Sequence, residues 1–478
     1  MKPINWTVFL YTSIGVLLVF SNMTTMDVAL PSIVRYFSAS PLQANWILLG
    51  YMLTNTVMLL AFGRLADIFG RKPLYLVGVA IFTAASLGCG FAGSADVLIA
   101  FRILQAVGAA AIVTNTTALL VDAYPAERMS LILGLNVSVA AGSSICGPLI
   151  GGALVSGLGW RALFFTGVPL GLFLLLAGPR VLRRIEAKPR REPFDYVGAL
   201  LSFLALGGLV LGLSDGGTLG WQHPFIIGCF VVAVVAGTLF VLVQMRVRYP
   251  LVDLSILRKG DLALAYYANL MLAIVQMATL ILVALFLQAA FAMDAFQAGL
   301  HVTGLAVGLF IGTSVSARVI GRLPVRPVAA TGMACLAGAM IAMSLFFRGD
   351  APAATTMTGI LVLVGLGVGL FMTPNTTSIM TAVEPDRRGV ANGMRAMIQN
   401  MGYVVGTAVA LAIVTAPLDT EAQHAVYAGQ SALLSLSQRA LFESRYQLAF
   451  GVLAVAACTG LLACVFRRSA RTGLAAAV

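Results

Sequence analysis

Residues 115–128 read NTTALLVDAYPAER, and residues 375–388 read NTTSIMTAVEPDRR. At a single offset of 260, Asn115-Thr116-Thr117 returns as Asn375-Thr376-Thr377, Pro125 as Pro385 and Arg128 as Arg388. Polar landmarks that repeat at matched positions mark an internal duplication. A second echo, at an offset of 251, sets Gly63, Asp67, Gly70 and Arg71 against Ser314, Arg318, Gly321 and Arg322. Two loops of the first half therefore correspond to two loops of the second.

The duplicated units are read as membrane helices. Of the 478 residues, 60% are hydrophobic and 10% charged, with a mean hydropathy of +0.96. That is far more apolar surface than a soluble core needs. Apolar runs of about 18 to 25 residues recur, each long enough to cross a hydrocarbon layer as a helix, whereas a membrane barrel would show shorter, alternating segments. We place spans near residues 6–30, 43–64, 73–92, 97–119, 131–155, 162–180, 195–214, 223–245, 262–290, 296–317, 327–347, 353–381, 389–415 and 447–466. The first, Trp6 to Leu30, is too long for a signal peptide and lacks a small-residue cleavage site, so it is expected to remain as a helix. The expected fold is an all-α polytopic membrane protein. Residues 1–180 form one six-helix bundle and 181–194 a basic cytoplasmic loop; 195–261 hold an extra helix pair with its following loop, and 262–478 form the second six-helix bundle. The outer stretch near 416–446 is polar enough for a surface helix.

A net charge of +12 raises the question of a nucleic-acid partner, and the location of the charges answers it. Of the 30 Lys and Arg, 24 fall in segments assigned to the inner side and five outside; Arg102 is the single basic residue assigned to a span. This is the positive-inside pattern of a chain in a lipid bilayer, with both termini cytoplasmic, and not a nucleic-acid surface. The six cysteines lie in apolar spans without paired spacing, so neither a disulfide nor a metal site is expected. No G-x-x-x-x-G-K-[ST] sequence is present, which argues against ATP hydrolysis. Matches to N-x-[ST] at Asn22, Asn115, Asn136 and Asn375 all fall within spans, which points to a bacterial inner membrane.

Between the second and third spans, Gly63-Arg64-Leu65-Ala66-Asp67-Ile68-Phe69-Gly70-Arg71-Lys72 forms a tight inner loop. Its two glycines allow a sharp turn, Asp67 can cap a helix N-terminus, and Arg71 and Lys72 can pair acids. A basic turn that serves orientation alone is the plainer reading. The spacing resembles the G-x-x-x-D-x-x-G-R-K signature of the major facilitator superfamily. That resemblance implies a conformational latch of Gly63, Asp67, Gly70, Arg71, Lys72 and Arg128 that breaks as two halves rock.

A guanidinium inside a span is costly and normally has a partner. For Arg102 the nearest candidate is Asp27 in the first span. Both lie a few residues from an outer helix end, so at 1.5 Å per residue they sit at similar depth and can meet. A buried carboxyl whose distance from an arginine changes can load and release a proton; a permanently ionised structural pair is the alternative. An acid in the first span and Arg102-Ile103-Leu104-Gln105 in the fourth resemble superfamily features tied to proton coupling. Ala106 stands where the family usually has glycine.

In the fifth span, Gly142, Gly147, Pro148, Gly151 and Gly152 combine a kinking proline with small residues that let helices pack closely. Generic helix packing explains such a set too, but it resembles the G-P-x-x-G-G signature of the antiporter branches. Together with Trp160-Arg161, Val168-Pro169-Leu170-Gly171 and the extra helix pair, it resembles the fourteen-helix drug:proton antiporter branch. One departure is Gln399-Asn400-Met401-Gly402, where such proteins often carry an Arg-Gln pair before glycine; any role of that arginine is expected to be absent.

Candidate cavity residues are Asn22, Tyr51, Asn55, Asn115, Asn136, Asn269, Gln276, His301, Asn375 and Gln399, each of which can equally serve as hydrogen-bonding glue between helices. Arg318 stands at the Asp67 position and Val362 at the Arg102 position, so coupling charges are expected in the first half, with later helices shaping the cavity. The expected function is proton-coupled antiport that exports small lipophilic compounds, cations among them, by alternating access. Protons and a small-molecule substrate are the expected partners of a monomer that is not an enzyme and needs no cofactor beyond the proton gradient. A narrow metabolite exporter, a proton symporter and a non-transporting sensor or scaffold are the alternatives.

Overall fold

The computed structural model describes residues 6–124, 126–184, 195–247, 250–251, 260–319, 323–346, 353–383, 388–428 and 435–467. The first half contains α1 (Trp6–Phe37), α2 (Pro41–Phe69), α3 (Arg71–Gly90), α4 (Ala95–Ala123), α5 (Ala126–Leu158), α6 (Ala162–Phe165) and α7 (Gly167–Val181). There follow α8 (Tyr196–Leu219) and α9 (Pro224–Gln244). The second half contains α10 (Gly260–Ala290), α11 (Ala295–Val319), α12 (Val325–Phe346), α13 (Ala354–Ala382), α14 (Arg388–Thr415), α15 (Thr420–Tyr427) and α16 (Leu436–Phe466). Among the described residues, thirteen helical stretches are long and apolar enough to cross a membrane, with α6 and α7 taken as one, and α5 at 33 residues has the length of a fourteenth. The fold is all-α and polytopic, with two six-helix bundles and an added pair.

Local chemistry fixes the helix starts. Ser40 and Ser435 each accept from the backbone N–H of a glutamine three residues on, Gln43 and Gln438, whose side chain caps the serine in return. Pro41 and Pro224 occupy first-turn positions, where a missing N–H costs nothing. The sixth span is not one helix: it breaks at Thr166, between α6 and α7. Pro169 has no N–H to return to the Phe165 carbonyl, which is the physical reason for the break. Residues 185–194 of the basic loop, Pro125, Gly321, Arg322 and Pro385 lie outside the described residues.

The duplication reappears as packing. In the first half α1 packs on α5 and α4 on both α2 and α3; in the second α10 packs on α14 and α13 on both α11 and α12. Glycines permit these approaches: a side chain on Gly78 or Gly108 would run into the facing α4 or α3, and one on Gly308 or Gly365 into the facing α13 or α11 backbone. Without a hydrophobic drive between helices in lipid, such close van der Waals contact is what holds them. The added pair α8 and α9 pack on each other, and α8 also touches α2 and α14, so the pair stands beside the seam between halves. Most of α9 faces outward, with Val231, Val234 and Val235 exposed, as suits lipid contact.

The halves meet through α5 with α11, α2 with α14 and α1 with α10. Following the charge reading, the side where α1 begins is called inner. The outer segments of both central helices are sealed: Asn22 to Pro31 on α1 and Met277 to Ala289 on α10 are buried throughout. Further in, Met271, Ile274 and Gln276 are only half-buried.

Candidate functional site

Four hydrogen bonds tie the halves together at their outer ends. Arg35 Nη1 donates to the Ala428 carbonyl (3.0 Å), Tyr427 Oη to Asn45 Oδ1 (2.5 Å), Gln288 Nε2 to the Val28 carbonyl (3.2 Å) and the Phe296 N–H to Ser156 Oγ (3.3 Å). Tyr427 belongs to α15, the helix expected at the surface. It is instead a buried wedge: Ala422, Gln423, Ala425, Val426 and Tyr427 are all shielded from solvent. Ala422, Ala425 and Val426 recur at three- and four-residue spacing, the apolar stripe of an amphipathic helix, and that stripe drives α15 inward.

Immediately inside this seal lies the Arg102 network. Arg102, on α4, is 1% exposed, and its Nη1 donates to Asn22 Oδ1 on α1 (2.6 Å) and to Gln105 Oε1 (2.7 Å). Its guanidinium lies 4.1 Å over the Tyr51 ring on α2, a cation–π contact that suits a desolvated cation. Gln105 Nε2 continues the chain to Ser86 Oγ on α3 (2.7 Å). Four helices thus converge on one charge.

Asp27 is also buried, at 2% exposure, yet its Oδ2 has no hydrogen-bond partner. The two residues share a depth and feel each other's charge, but the salt bridge that depth alone allowed is not made. Arg102 takes neutral amide partners, because Asn22 and Gln105 present oxygens to the same nitrogen. An unpartnered buried carboxylate is costly, whereas the protonated acid is not, so this arrangement suits a carboxyl that carries a proton.

Between the halves lies a small cavity of about 70 Å³. Phe20 and Met23 on α1, Met277 and Leu280 on α10, and Leu305 and Leu309 on α11 give it apolar walls. Thr24, Gln276 and Tyr403 supply its polar atoms. Adaptable methionine and aliphatic walls with few polar groups suit lipophilic ligands.

A second arginine, half-buried, stands below this cavity. Arg395 lies about two turns inside α14, not in an inner loop, so Arg102 is not the single membrane base. Arg395 Nη1 donates to Gln399 Oε1 (2.8 Å), Gln399 Nε2 to Tyr403 Oη (2.7 Å), and Tyr403 Oη to Gln276 Oε1 (3.5 Å). Asn269 Nδ2 holds the Arg395 carbonyl (3.2 Å). The span placed at 389–415 already contains Arg395, but the charge reading groups the residue with the neighbouring inner-side bases Arg387 and Arg388; the apolar stretch Met394–Thr415 of α14 includes it.

The other candidates divide. Asn22, Tyr51, Gln276 and Gln399 join the two networks above. Asn375 Nδ2 donates to the Ala265 carbonyl and its Oδ1 accepts from Arg467, both at 3.2 Å, so it binds helix to helix. His301 Nδ1 and Thr358 Oγ1 are 2.6 Å apart, joining α11 to α13 away from the cavity. Asn115 Nδ2 donates to the Ala111 carbonyl on its own helix, and Asn55, Asn115 and Asn136 each keep a buried side-chain oxygen with no partner.

Within the fifth-span motif, side chains on Gly147 and Gly151 would strike Thr24 and Thr25 of α1, and one on Gly152 would strike the Ala295 backbone of α11. Across from it, Gly299 faces the Pro148 carbonyl. This face of α5 therefore touches both halves at once. Gly142 has open space around it and takes no part in this contact.

At the inner loop, the side chains of Asp67 and Arg128 lie outside the described residues. Arg71 Nη1 bonds Asp122 Oδ1 (2.5 Å) and the Ala118 carbonyl (3.2 Å), so the described part of the loop ties α3 to α4 within the first half. Asp122 was not among the sequence candidates, although it sits inside the repeated segment. Gly70 has φ 92° and ψ 145°, a region open essentially to glycine alone. Gly70→Ala is expected to cost about 1–3 kcal/mol, read as a lowered melting temperature of the purified protein in detergent; an unchanged melting temperature would contradict the assignment.

The Major Facilitator Superfamily model matches residues 12–244 and 265–476. The chain belongs to the major facilitator superfamily. Among curated relatives, the tetracenomycin C resistance and export protein of Streptomyces glaucescens is 31% identical over 84% of this chain and 75% of its own length. The multidrug resistance protein Stp of Mycobacterium tuberculosis is 32% identical over 87% of this chain and 78% of its own. The methylenomycin A resistance protein of Bacillus subtilis is 30% identical over 84% and 86%. A bacterial homologue of the human lysosomal transporter Spinster, solved inward-facing and unoccupied, covers 97% of this chain and 98% of its own with a TM-score of 0.62 at 17% identity, a likeness of superfamily fold.

Proposed function

We propose that this superfamily member is a proton-driven antiporter that exports small lipophilic compounds by alternating access. The observation that carries the reading is the coexistence on α1 of cavity wall and carboxyl. Phe20, Met23 and Thr24 line the cavity, Asn22 binds Arg102, and Asp27 lies five residues further along the same rigid helix. A tilt of α1 that reshapes the cavity also alters the separation of Asp27 from Arg102. Substrate binding and proton binding then compete through one moving part, which is the requirement for antiport. The related resistance and export proteins support drug-like cargo.

On this reading the duplicated halves, 1–180 and 262–478, rock about the seam, with residues 195–261 as a flank. The protein works as a monomer in a bacterial inner membrane with both termini inside. It catalyses no covalent chemistry and uses the proton gradient in place of a cofactor. Everted vesicles supplied with a panel of lipophilic dyes in the outer medium should accumulate several of them only while a pH gradient stands, and each dye should partly dissipate that gradient. Accumulation that ignores the gradient would remove the coupling; no accumulation of any dye would favour a sensor or scaffold.

A further inference from the structure

Arg395 and its relay are not needed by the coupling scheme above, which runs through α1 and α4. An arginine within a membrane span is expensive to keep and marks a functional site by default. Its placement indicates which function. Arg395 is half-buried on α14, and its chain of hydrogen bonds through Gln399 and Tyr403 ends at Gln276. Tyr403 and Gln276 are two of the few polar residues on an otherwise apolar cavity wall. Arg395 therefore stands about two turns along α14 from Tyr403, on the side of the cavity away from the outer seal.

Resting on the export reading, we propose that Arg395, with Tyr403, is the specificity element that recognises an acidic, strongly hydrogen-bond-accepting group on an otherwise apolar substrate. A guanidinium offers five fixed N–H donors and stays cationic, which matches a carboxylate or phenolate oxygen pair. Tyr403 presents a hydroxyl whose orientation is set from both sides, by the Gln399 amide that donates to it and the Gln276 oxygen that accepts from it. The apolar body of the molecule then lies toward Met277, Leu280 and Leu305.

The test compares two dyes with the same xanthene body and opposite charge, anionic fluorescein and cationic rhodamine 6G, binding to the purified full chain in nanodiscs by fluorescence anisotropy. Arg395→Gln is expected to weaken fluorescein at least about tenfold, a loss of one charge-assisted contact, and to leave rhodamine 6G within about twofold. Arg395→Lys should recover only part of the fluorescein affinity, since the charge returns without the fork. Tyr403→Phe should weaken fluorescein in the same direction and by less. Equal losses for both dyes would make Arg395 a structural strut and overturn the proposal. So would undiminished fluorescein binding in Arg395→Gln, or a wild type that binds rhodamine 6G alone. If Arg395→Gln does not fold, judged by its melting curve, the Lys and Tyr403→Phe variants decide on the same criteria. Because binding is read without any gradient, failure here is distinct from failure of proton-driven export in vesicles.

Discussion

Asp27→Asn is expected to cripple proton-driven efflux while leaving substrate exchange intact. The amide keeps the size and polarity of the side chain, which is 2% exposed and leaves one oxygen without a donor, so packing around α1 changes little. What it removes is the ability to alternate between a charged form that attracts Arg102 and a neutral form that does not. Uphill transport in everted vesicles should fall at least about tenfold, the scale on which intramembrane ionisable residues decide coupling. Downhill counterflow of labelled against unlabelled dye, which needs rocking but no proton, should persist. Full gradient-driven efflux by the variant would take Asp27 out of the mechanism; loss of counterflow as well would mean that the carboxyl is structural.

Replacement of Gly152 by leucine is the second large effect. Its α-carbon faces the carbonyl end of Ala295 on the other half of the chain, so any side chain there meets backbone that cannot rotate away. Relief comes from parting α5 and α11, the same motion that opens the outer seam. Gly152→Leu should therefore stop transport and hold the outer side open. The measure is labelling from outside the cell by a membrane-impermeant maleimide at a cysteine placed at Leu30, which is fully buried in the sealed state, with Cys146 replaced to lower background. Strong labelling in Gly152→Leu against little in the parent is expected. Equal labelling with transport retained would show that the contact is not a hinge. Gly142→Leu is the internal control, because open space surrounds Gly142.

Much of this architecture was legible because membranes simplify folding. Twenty apolar residues in lipid must be a helix, and the duplicated Asn-Thr-Thr segments order those helices into halves. Depth could be read by counting residues, which is why Asp27 and Arg102 were assigned to one layer. What counting cannot supply is azimuth: whether Arg102 turns toward Asp27 or toward Asn22 depends on rotamers set by α2 and α3, and Tyr51 beneath the guanidinium settles it. Arg395 was missed for a different reason. It lies six residues into the span placed at 389–415, close behind Arg387 and Arg388, and its charge groups it with those inner-side bases although α14 is already helical from Arg388. The burial of α15 was hidden because eight residues are too few for a periodic signal to stand out from a polar loop.

The wedge formed by α15 also determines where the molecule waits. With Tyr427, Arg35 and Gln288 bonded across the halves and two long runs of α1 and α10 shielded, these contacts weight the alternating equilibrium toward the outer-closed state, the one an exporter offers to the inner side. A ligand arriving there meets a competent site at first encounter, and its apparent affinity is not divided by a small competent fraction. Residues that never touch cargo thus set the concentration at which export begins: a looser outer loop would raise that threshold for every substrate by one common factor, without altering the ranking among them.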